Sequence, residues 1–232
     1  MQKMHSIQKT AKLVGALYLA GFVVGLGGNG LIQSIITAPD YLSTVTASSM
    51  LLAIGALLWL LAAASDVAHG ILMFRILKPH SERMALGYLT FRIIDGVFIA
   101  IMVLFLLLQI PLASEYLEAV APNTLYLQAL SGLSVQASLY AYYIAMATLG
   151  IAGVMLNYLF YKTKLIPHWL AVWGLVGYAV IFFGMVSEII GSGLDLASSI
   201  PGGLWEVFMG GWLIAKGFNP SVIVFESAKV GS

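Results

Sequence analysis

The chain has 232 residues, of which 60% are hydrophobic and 9% are charged, whereas charged residues make up about 25% of ordinary soluble domains. A water-soluble fold of this length cannot bury so much apolar surface, which excludes a soluble enzyme, a disordered chain and a nucleic-acid-binding module. The formal net charge is only +1 and cysteine is absent, so strong attraction to nucleic acid, disulfides and thiolate chemistry are excluded as well. The composition therefore predicts a polytopic membrane protein whose first partner is the lipid bilayer.

Six apolar windows are each long enough for a helix that crosses the hydrocarbon core, which takes about 20 residues. They lie near Leu13–Gln33, Ser49–Leu77, Met84–Gln109, Val135–Tyr161, Pro167–Ile190 and Gly202–Phe218. No alternation typical of a β-barrel is present, so we expect an all-α bundle of six transmembrane helices. This layout predicts a cytoplasmic segment 1–11, a transmembrane domain 12–218 and a cytoplasmic tail 219–232.

Basic residues are confined to alternate connections. Ten of the eleven Lys and Arg residues lie in the N-terminal segment, around the second and fourth connections or in the tail, and the eleventh, Arg92, lies inside a span. The other three connections hold acidic residues instead: Asp40, Glu115, Glu118 and Asp195. By the positive-inside rule, both termini are expected in the cytoplasm.

Charged residues occur deep inside the second and third predicted spans. Asp66 lies twelve residues before Lys78 in the connecting turn, and Asp95 lies twelve residues after Arg83, which places both carboxyl groups about 18 Å from that turn. Arg92 is about 14 Å from it. Because a short turn makes the two helices antiparallel neighbours, these side chains are expected to meet near mid-membrane.

A histidine completes this intramembrane quartet. His69 shares a helix face with Asp66, as Arg92 does with Asp95, since residues three apart are neighbours on a helix. The quartet favours a polar cavity that binds a ligand headgroup, relays protons or performs acid–base chemistry. The alternative is an interhelical Asp66–Arg92 salt bridge that fixes helix register. A metal site is not expected, because one imidazole with mixed carboxylates is a weak donor set for transition metals.

A second acidic pair is predicted towards the outer side. Glu188 lies near the outer end of the fifth span, and Glu206 lies in the early turns of the sixth. Both could line the outer opening of the polar cavity, where two close carboxylates would form a proton site. Alternatively, Glu206 simply complements the dipole at a helix N-terminus.

Four stretches carry a resemblance to a known family. They read SDVAHGILMFRILKP, ALGYLTFRIID, LFYKTKLIPHWLAVWGL and LWEVFMGGWLIAKG. The chain resembles the uncharacterised bacterial membrane proteins of domain-of-unknown-function family 4386, from about residue 12 to residue 218. Members are similar in having an aspartate at Asp66, an arginine at Arg92 and a glutamate at Glu206. The resemblance implies the six-helix layout and carries no established activity.

Three functions are compatible with these features. The first is a multi-pass protein of the bacterial inner membrane that binds or transports a small or lipidic ligand through a polar intramembrane cavity. The second is an intramembrane acid–base enzyme acting on an apolar lipid or isoprenoid substrate, with Asp66 or Asp95 as general acid or base. The third is an accessory or assembly subunit. No cofactor is expected, and a pump or channel of this size would require a homo-oligomer.

Overall fold

The computed structural model describes residues 2–120, 123–191, 193, 196–220 and 222. Within these ranges every regular element is helical and no strand occurs, which confirms the predicted all-α fold. In chain order the elements are α1 (Gln2–Ile36), α2 (Tyr41–Ala47), α3 (Ser49–Leu77), α4 (Glu82–Leu107), α5 (Gln109–Glu118), α6 (Asn123–Thr163), α7 (His168–Ile189), a 3₁₀ turn (Leu196–Ser199) and α8 (Ile200–Ala215). Asp195 and most of the predicted tail 219–232 lie outside the described residues.

Five helical stretches in this part of the chain are long and apolar enough to cross a membrane. They are Ser6–Ile36, Ser49–Leu77, Glu82–Glu118, Asn123–Thr163 and His168–Ile189. The sixth predicted span corresponds to α8, which has 16 residues and is about 24 Å long. This helix is shorter than the hydrocarbon core, which is about 30 Å thick. The chain is therefore a helical membrane protein with five stretches, among its described residues, that are long and apolar enough to cross a bilayer.

Several helix boundaries differ from the predicted spans; α1, for example, begins at Gln2 and not near Leu13. The third span was expected to reach Gln109, but α4 ends at Leu107 and Gln109 begins α5. The fourth span was expected from Val135, whereas α6 begins at Asn123. The residues that precede Val135 include Ser, Gln and Thr, and their polarity hides a helical segment from a search for apolar windows.

The six longest helices form a closed ring. Each packs against the next in the order α1, α3, α4, α6, α7 and α8, and α8 packs back against α1. The short helices α2 and α5 pack against each other at one end of this ring. The inner faces of the ring are therefore shared by helices that are far apart in sequence.

Small residues allow the ring to close between its first and last helices. A Cβ atom on Gly15 of α1 would lie 2.6 Å from the Gly210 carbonyl oxygen of α8. Likewise, a Cβ atom on Gly210 would lie 3.0 Å from the Gly15 carbonyl oxygen. Since real side chains do not approach backbone this closely, glycine at both positions lets the two helix backbones touch, as is common in membrane bundles.

Candidate functional site

The Asp66–Arg92 ion pair joins α3 to α4 in the middle of both helices. The Arg92 Nη2 donates a hydrogen bond to Asp66 Oδ1, and Arg92 Nε donates to the Asp66 carbonyl oxygen at 3.4 Å. Gly70 makes room for this arrangement, because a Cβ atom there would lie 3.1 Å from Arg92 Cβ. The expected meeting of charged side chains from the second and third spans is therefore present in the structure.

Asp95 lies behind Arg92 and is completely buried. Its Oδ2 atom is 3.8 Å from Arg92 Nη1, which makes an ion pair but no hydrogen bond. Neither carboxyl oxygen of Asp95 has a hydrogen-bond partner among the described residues. A buried carboxyl group without hydrogen bonds is costly, which makes Asp95 a candidate functional group.

His69 belongs to an aromatic cluster on the same level. Its Nδ1 atom shares a 2.7 Å hydrogen bond with the Tyr88 hydroxyl group, and both side chains are buried. The Tyr18 ring of α1 lies 4.2 Å from the His69 ring, centroid to centroid. The second imidazole nitrogen, Nε2, has no hydrogen-bond partner among the described residues. His69 therefore adds a second unused polar atom to the site.

Glu206 brings α8 into the same site. The Tyr178 hydroxyl group of α7 donates a 2.7 Å hydrogen bond to Glu206 Oε1. Glu206 is also close enough to Asp66 and Arg92 to interact electrostatically with both. By contrast, Glu188 lies ten residues further along α7 than Tyr178, which is about 15 Å. The structure thus places Glu206 with the intramembrane quartet and does not bring it beside Glu188.

Asp66 faces the inside of the helix ring. It lies nine residues after Leu57, which is two and a half helical turns, so the two side chains point in opposite directions. Leu57 is 63% exposed on the outer face of α3, where it contacts lipid in a membrane. The Asp66 side chain is nevertheless 33% exposed, compared with 2% for Arg92. Space that admits water therefore adjoins Asp66 on the inner side of the ring.

Glu206 has a similar position on α8. It lies two residues after Leu204, about 200° around the helix, and Leu204 is 56% exposed on the outer face. Glu206 itself is only partly buried. Two inward-facing carboxylates, Asp66 and Glu206, therefore border accessible space, while Arg92 and Asp95 form a sealed layer behind Asp66.

The charges of the site do not balance. Asp66, Asp95 and Glu206 supply three carboxyl groups, whereas Arg92 supplies the one guanidinium group beside them. An uncompensated charge in a low-dielectric interior is expensive, so protons or a bound cation have to offset the excess of carboxylates. No cluster of three His, Asp or Glu side chains with metal-binding geometry occurs among the described residues.

Three tyrosines of the site were not expected from the sequence. Tyr88 precedes Arg92 by four residues, so its position on the same face of α4 was a usable signal. Tyr18 and Tyr178 come from α1 and α7, and nothing in their local sequence indicates that they meet. Their inclusion depends on closure of the ring, which is a long-range property of the fold.

Comparison with known proteins places residues 13–217 in one family model, described as a domain of unknown function (DUF4386). This match confirms the resemblance carried by the four sequence stretches. Neither the curated proteins nor the solved structures contain a match to this chain. The chemistry of the site therefore has to be argued from its own residues.

Proposed function

The chain belongs to the DUF4386 family, and we propose that it binds and moves a small solute with a positively charged group through the interior of its helix ring. Asp66 and Glu206 contact the solute, and Arg92 holds Asp66 in place. The observation that carries this proposal is the inner exposure of Asp66, whose side chain is 33% accessible although it faces away from lipid. A lipidic amine and a soluble amine share the same charged group, and both fit this chemistry.

The preference for a cation follows from the charge balance. Three carboxyl groups compete for one guanidinium group, so an additional cation lowers the electrostatic cost of the site, whereas an anion raises it. Protons offset the same excess when no solute is bound, which allows solute and protons to exchange. The unpartnered Asp95 oxygens and His69 Nε2 are the atoms that supply or receive such protons.

The proposed arrangement in the membrane has six crossings. Helix α8 is too short to cross alone, but the 3₁₀ turn Leu196–Ser199 precedes it directly and extends the helical segment. With α8 counted, the basic turns Lys78–Arg83 and Lys162–Lys164 fall on the same side as both termini. The positive-inside rule then places that side in the cytoplasm of a bacterial inner membrane.

Binding is tested with named cations on the purified protein in nanodiscs. Methylammonium and choline are titrated against sodium chloride of equal ionic strength, and thermal unfolding is followed by tryptophan fluorescence. We expect the two amines to raise the unfolding temperature of the unmodified protein, because a ligand that binds only the folded state stabilises it. Asp66→Asn and Glu206→Gln should each weaken the apparent affinity at least tenfold.

Glu188→Gln is the matched control, since it removes a carboxylate that lies ten residues, or about 15 Å, beyond Tyr178 on α7. It should leave the affinity for both amines unchanged. If the amines raise the unfolding temperature of the unmodified protein no more than sodium does, the cation-binding proposal is wrong. If Asp66→Asn fails to accumulate and a charge swap with Arg92 restores the protein, the ion pair serves helix register instead.

One observation favours the enzymatic alternative. The His69–Tyr88 hydrogen bond and Asp95, whose oxygens have no hydrogen-bond partner among the described residues, place three buried acid–base groups around Arg92. Incubation of the protein with bacterial lipid extract, followed by mass spectrometry, distinguishes the two functions. A product that forms with the unmodified protein but not with His69→Gln supports the enzyme, whereas unchanged lipids with intact amine binding support the binding protein.

A further inference from the structure

A basic groove lies at the end of the ring where α6, α7 and α8 meet. It encloses about 400 Å³ and is lined by the α6–α7 turn and the segment that follows α8. Lys164, His168, Lys216 and Asn219 contribute polar side chains, and no Asp or Glu among the described residues lines the groove. Within the part of the chain that the structure describes, the groove therefore offers positive charge without an acidic partner, at the level where the helices end.

The backbone of the groove is held in an unusual conformation. Lys164 has a φ of 58°, the left-handed region in which glycine normally ends a helix. Its carbonyl oxygen accepts a hydrogen bond of 3.2 Å from Asn219 Nδ2. The backbone N–H of Asn219 donates a second one, of 2.8 Å, to the Leu165 carbonyl oxygen. Lysine is unfavourable in this conformation, which persists where the surroundings fix it. These contacts hold the Lys164 backbone against the segment that follows α8.

An aromatic surface continues from the groove along α7 and α8. Trp212 lines the groove and stacks on Phe208, with the ring centroids 6.4 Å apart. Trp169 packs edge-on against both of these rings. Trp169 is 52% exposed and Phe208 is 42% exposed, so the surface faces the lipid. The aromatic residues thus lead from the charged groove towards the hydrocarbon.

We propose that this groove binds the phosphate headgroup of an anionic phospholipid. Lys164 and Lys216 contact the phosphate, and one acyl chain lies along Trp212, Phe208 and Trp169. Phosphate bound between two lysines gains charge-assisted hydrogen bonds, and basic pockets at helix ends are suited to lipid headgroups. The aromatic surface favours a lipid over free phosphate, because free phosphate has no acyl chain to pack against these rings.

The site is tested by native mass spectrometry of the protein released from nanodiscs of phosphatidylglycerol and phosphatidylcholine. We expect the protein to retain phosphatidylglycerol in preference to phosphatidylcholine. Replacing both lysines, Lys164→Gln with Lys216→Gln, should lower the affinity for phosphatidylglycerol about thirtyfold, since each lysine near an anionic lipid contributes about a fivefold factor. Both side chains are exposed, so the double variant should fold normally.

Lys162→Gln is the matched control. Lys162 lies two residues from Lys164, is also exposed and does not line the groove; its Nζ lies 5.7 Å from the Tyr158 ring centroid. This variant should retain phosphatidylglycerol like the unmodified protein. An equal loss in Lys162→Gln would mean that general surface charge attracts the lipid, and the proposed site would be overturned.

Inorganic phosphate separates the two sources of the headgroup chemistry. Added to protein in phosphatidylcholine nanodiscs, it should raise the unfolding temperature less than phosphatidylglycerol does. If inorganic phosphate stabilises the protein as strongly, and the double variant abolishes this effect, the groove binds free phosphate and the lipid proposal is wrong. If neither phosphate nor phosphatidylglycerol distinguishes the double variant, the groove binds neither.

Discussion

Two buried polar clusters of this protein differ in how completely their hydrogen bonds are satisfied. Where α2, α5 and α6 meet, the Ser131 hydroxyl group donates to Gln109 Oε1, Gln109 Nε2 donates to the Ser131 carbonyl oxygen at 3.3 Å, and the Tyr41 hydroxyl group lies 2.8 Å from Ser131 Oγ. This Gln109–Ser131 cluster is neutral and closed. The Asp66–Arg92 site is charged, and polar atoms of Asp95 and His69 there have no hydrogen-bond partner in the described part of the chain.

The difference separates structural polarity from functional polarity. A neutral cluster whose atoms are all paired contributes modestly to stability and fixes how elements dock. A charged cluster with unpaired buried atoms costs stability, so it needs a purpose outside packing. Folding alone explains the first cluster, whereas the proposed solute, or the protons that exchange with it, would complete the second.

The largest effect is expected for Arg92→Met. Methionine fills much of the same volume but leaves Asp66, Asp95 and Glu206 without a guanidinium group, and an uncompensated buried charge costs about 3–5 kcal/mol. We expect this loss in the free energy of unfolding, measured by denaturant titration in detergent. Combining it with Asp66→Asn should recover part of the loss. Full stability in Arg92→Met would show that the carboxylates do not need the guanidinium group.

A smaller effect is expected for Ser131→Ala in the closed cluster. The substitution removes the donor to Gln109 Oε1 and a partner of Tyr41, and an unsatisfied buried acceptor costs about 1–3 kcal/mol. The same titration measures this loss, and binding of methylammonium should stay unchanged. A change in amine affinity would contradict the division between the two clusters, because Ser131 lies outside the charged site.

Helix contact at the charged site is tested with Gly70→Ala. The new methyl group would lie 3.1 Å from Arg92 Cβ and 3.3 Å from Leu89 Cδ1, so α3 and α4 have to separate slightly. We expect a loss of about 1 kcal/mol, at the lower end for overpacking, together with weaker amine binding. Gly30→Ala is the control, since nothing lies within 4 Å of its Cβ position, and it should be neutral or slightly stabilising. Equal effects in both variants would indicate helix propensity in place of packing.

The sequence predicted one part of the charged site and missed the other. Asp66 and Arg92 were predictable because a short turn fixes the pairing of α3 with α4, and equal distances from that turn put charged residues at one level. Glu206 was expected beside Glu188, since both were assigned to the outer ends of their spans. In the structure α8 is short and packs against the middle of α7, so Glu206 reaches Tyr178 and the centre of the ring. Local patterns cannot predict where the last helix of a ring docks.

The ends of the helices show the same limit. Apolar windows located both ends of α3 to the residue, because its hydrophobic run and its helix coincide. They missed the first turns of α6 and the separate helix α5, because polar residues such as Gln109 and Ser131 are helical there and are buried by packing against each other. Hydropathy measures preference for lipid, and these residues satisfy their polar groups within the protein instead.

Asp95→Asn should have the smallest effect on stability and therefore distinguishes the two clusters most sharply. Its carboxyl oxygens make no hydrogen bond with the described residues, so the amide loses only the 3.8 Å ion pair with Arg92 and removes one excess negative charge. We expect the free energy of unfolding to change by less than about 1 kcal/mol, because these two consequences oppose each other. Amine binding should nevertheless weaken, and its dependence on pH should flatten, because the group proposed to exchange protons is gone. A loss of stability as large as that of Arg92→Met would mean that Asp95 belongs to a structural ion-pair network, and the contrast with the Gln109–Ser131 cluster would disappear.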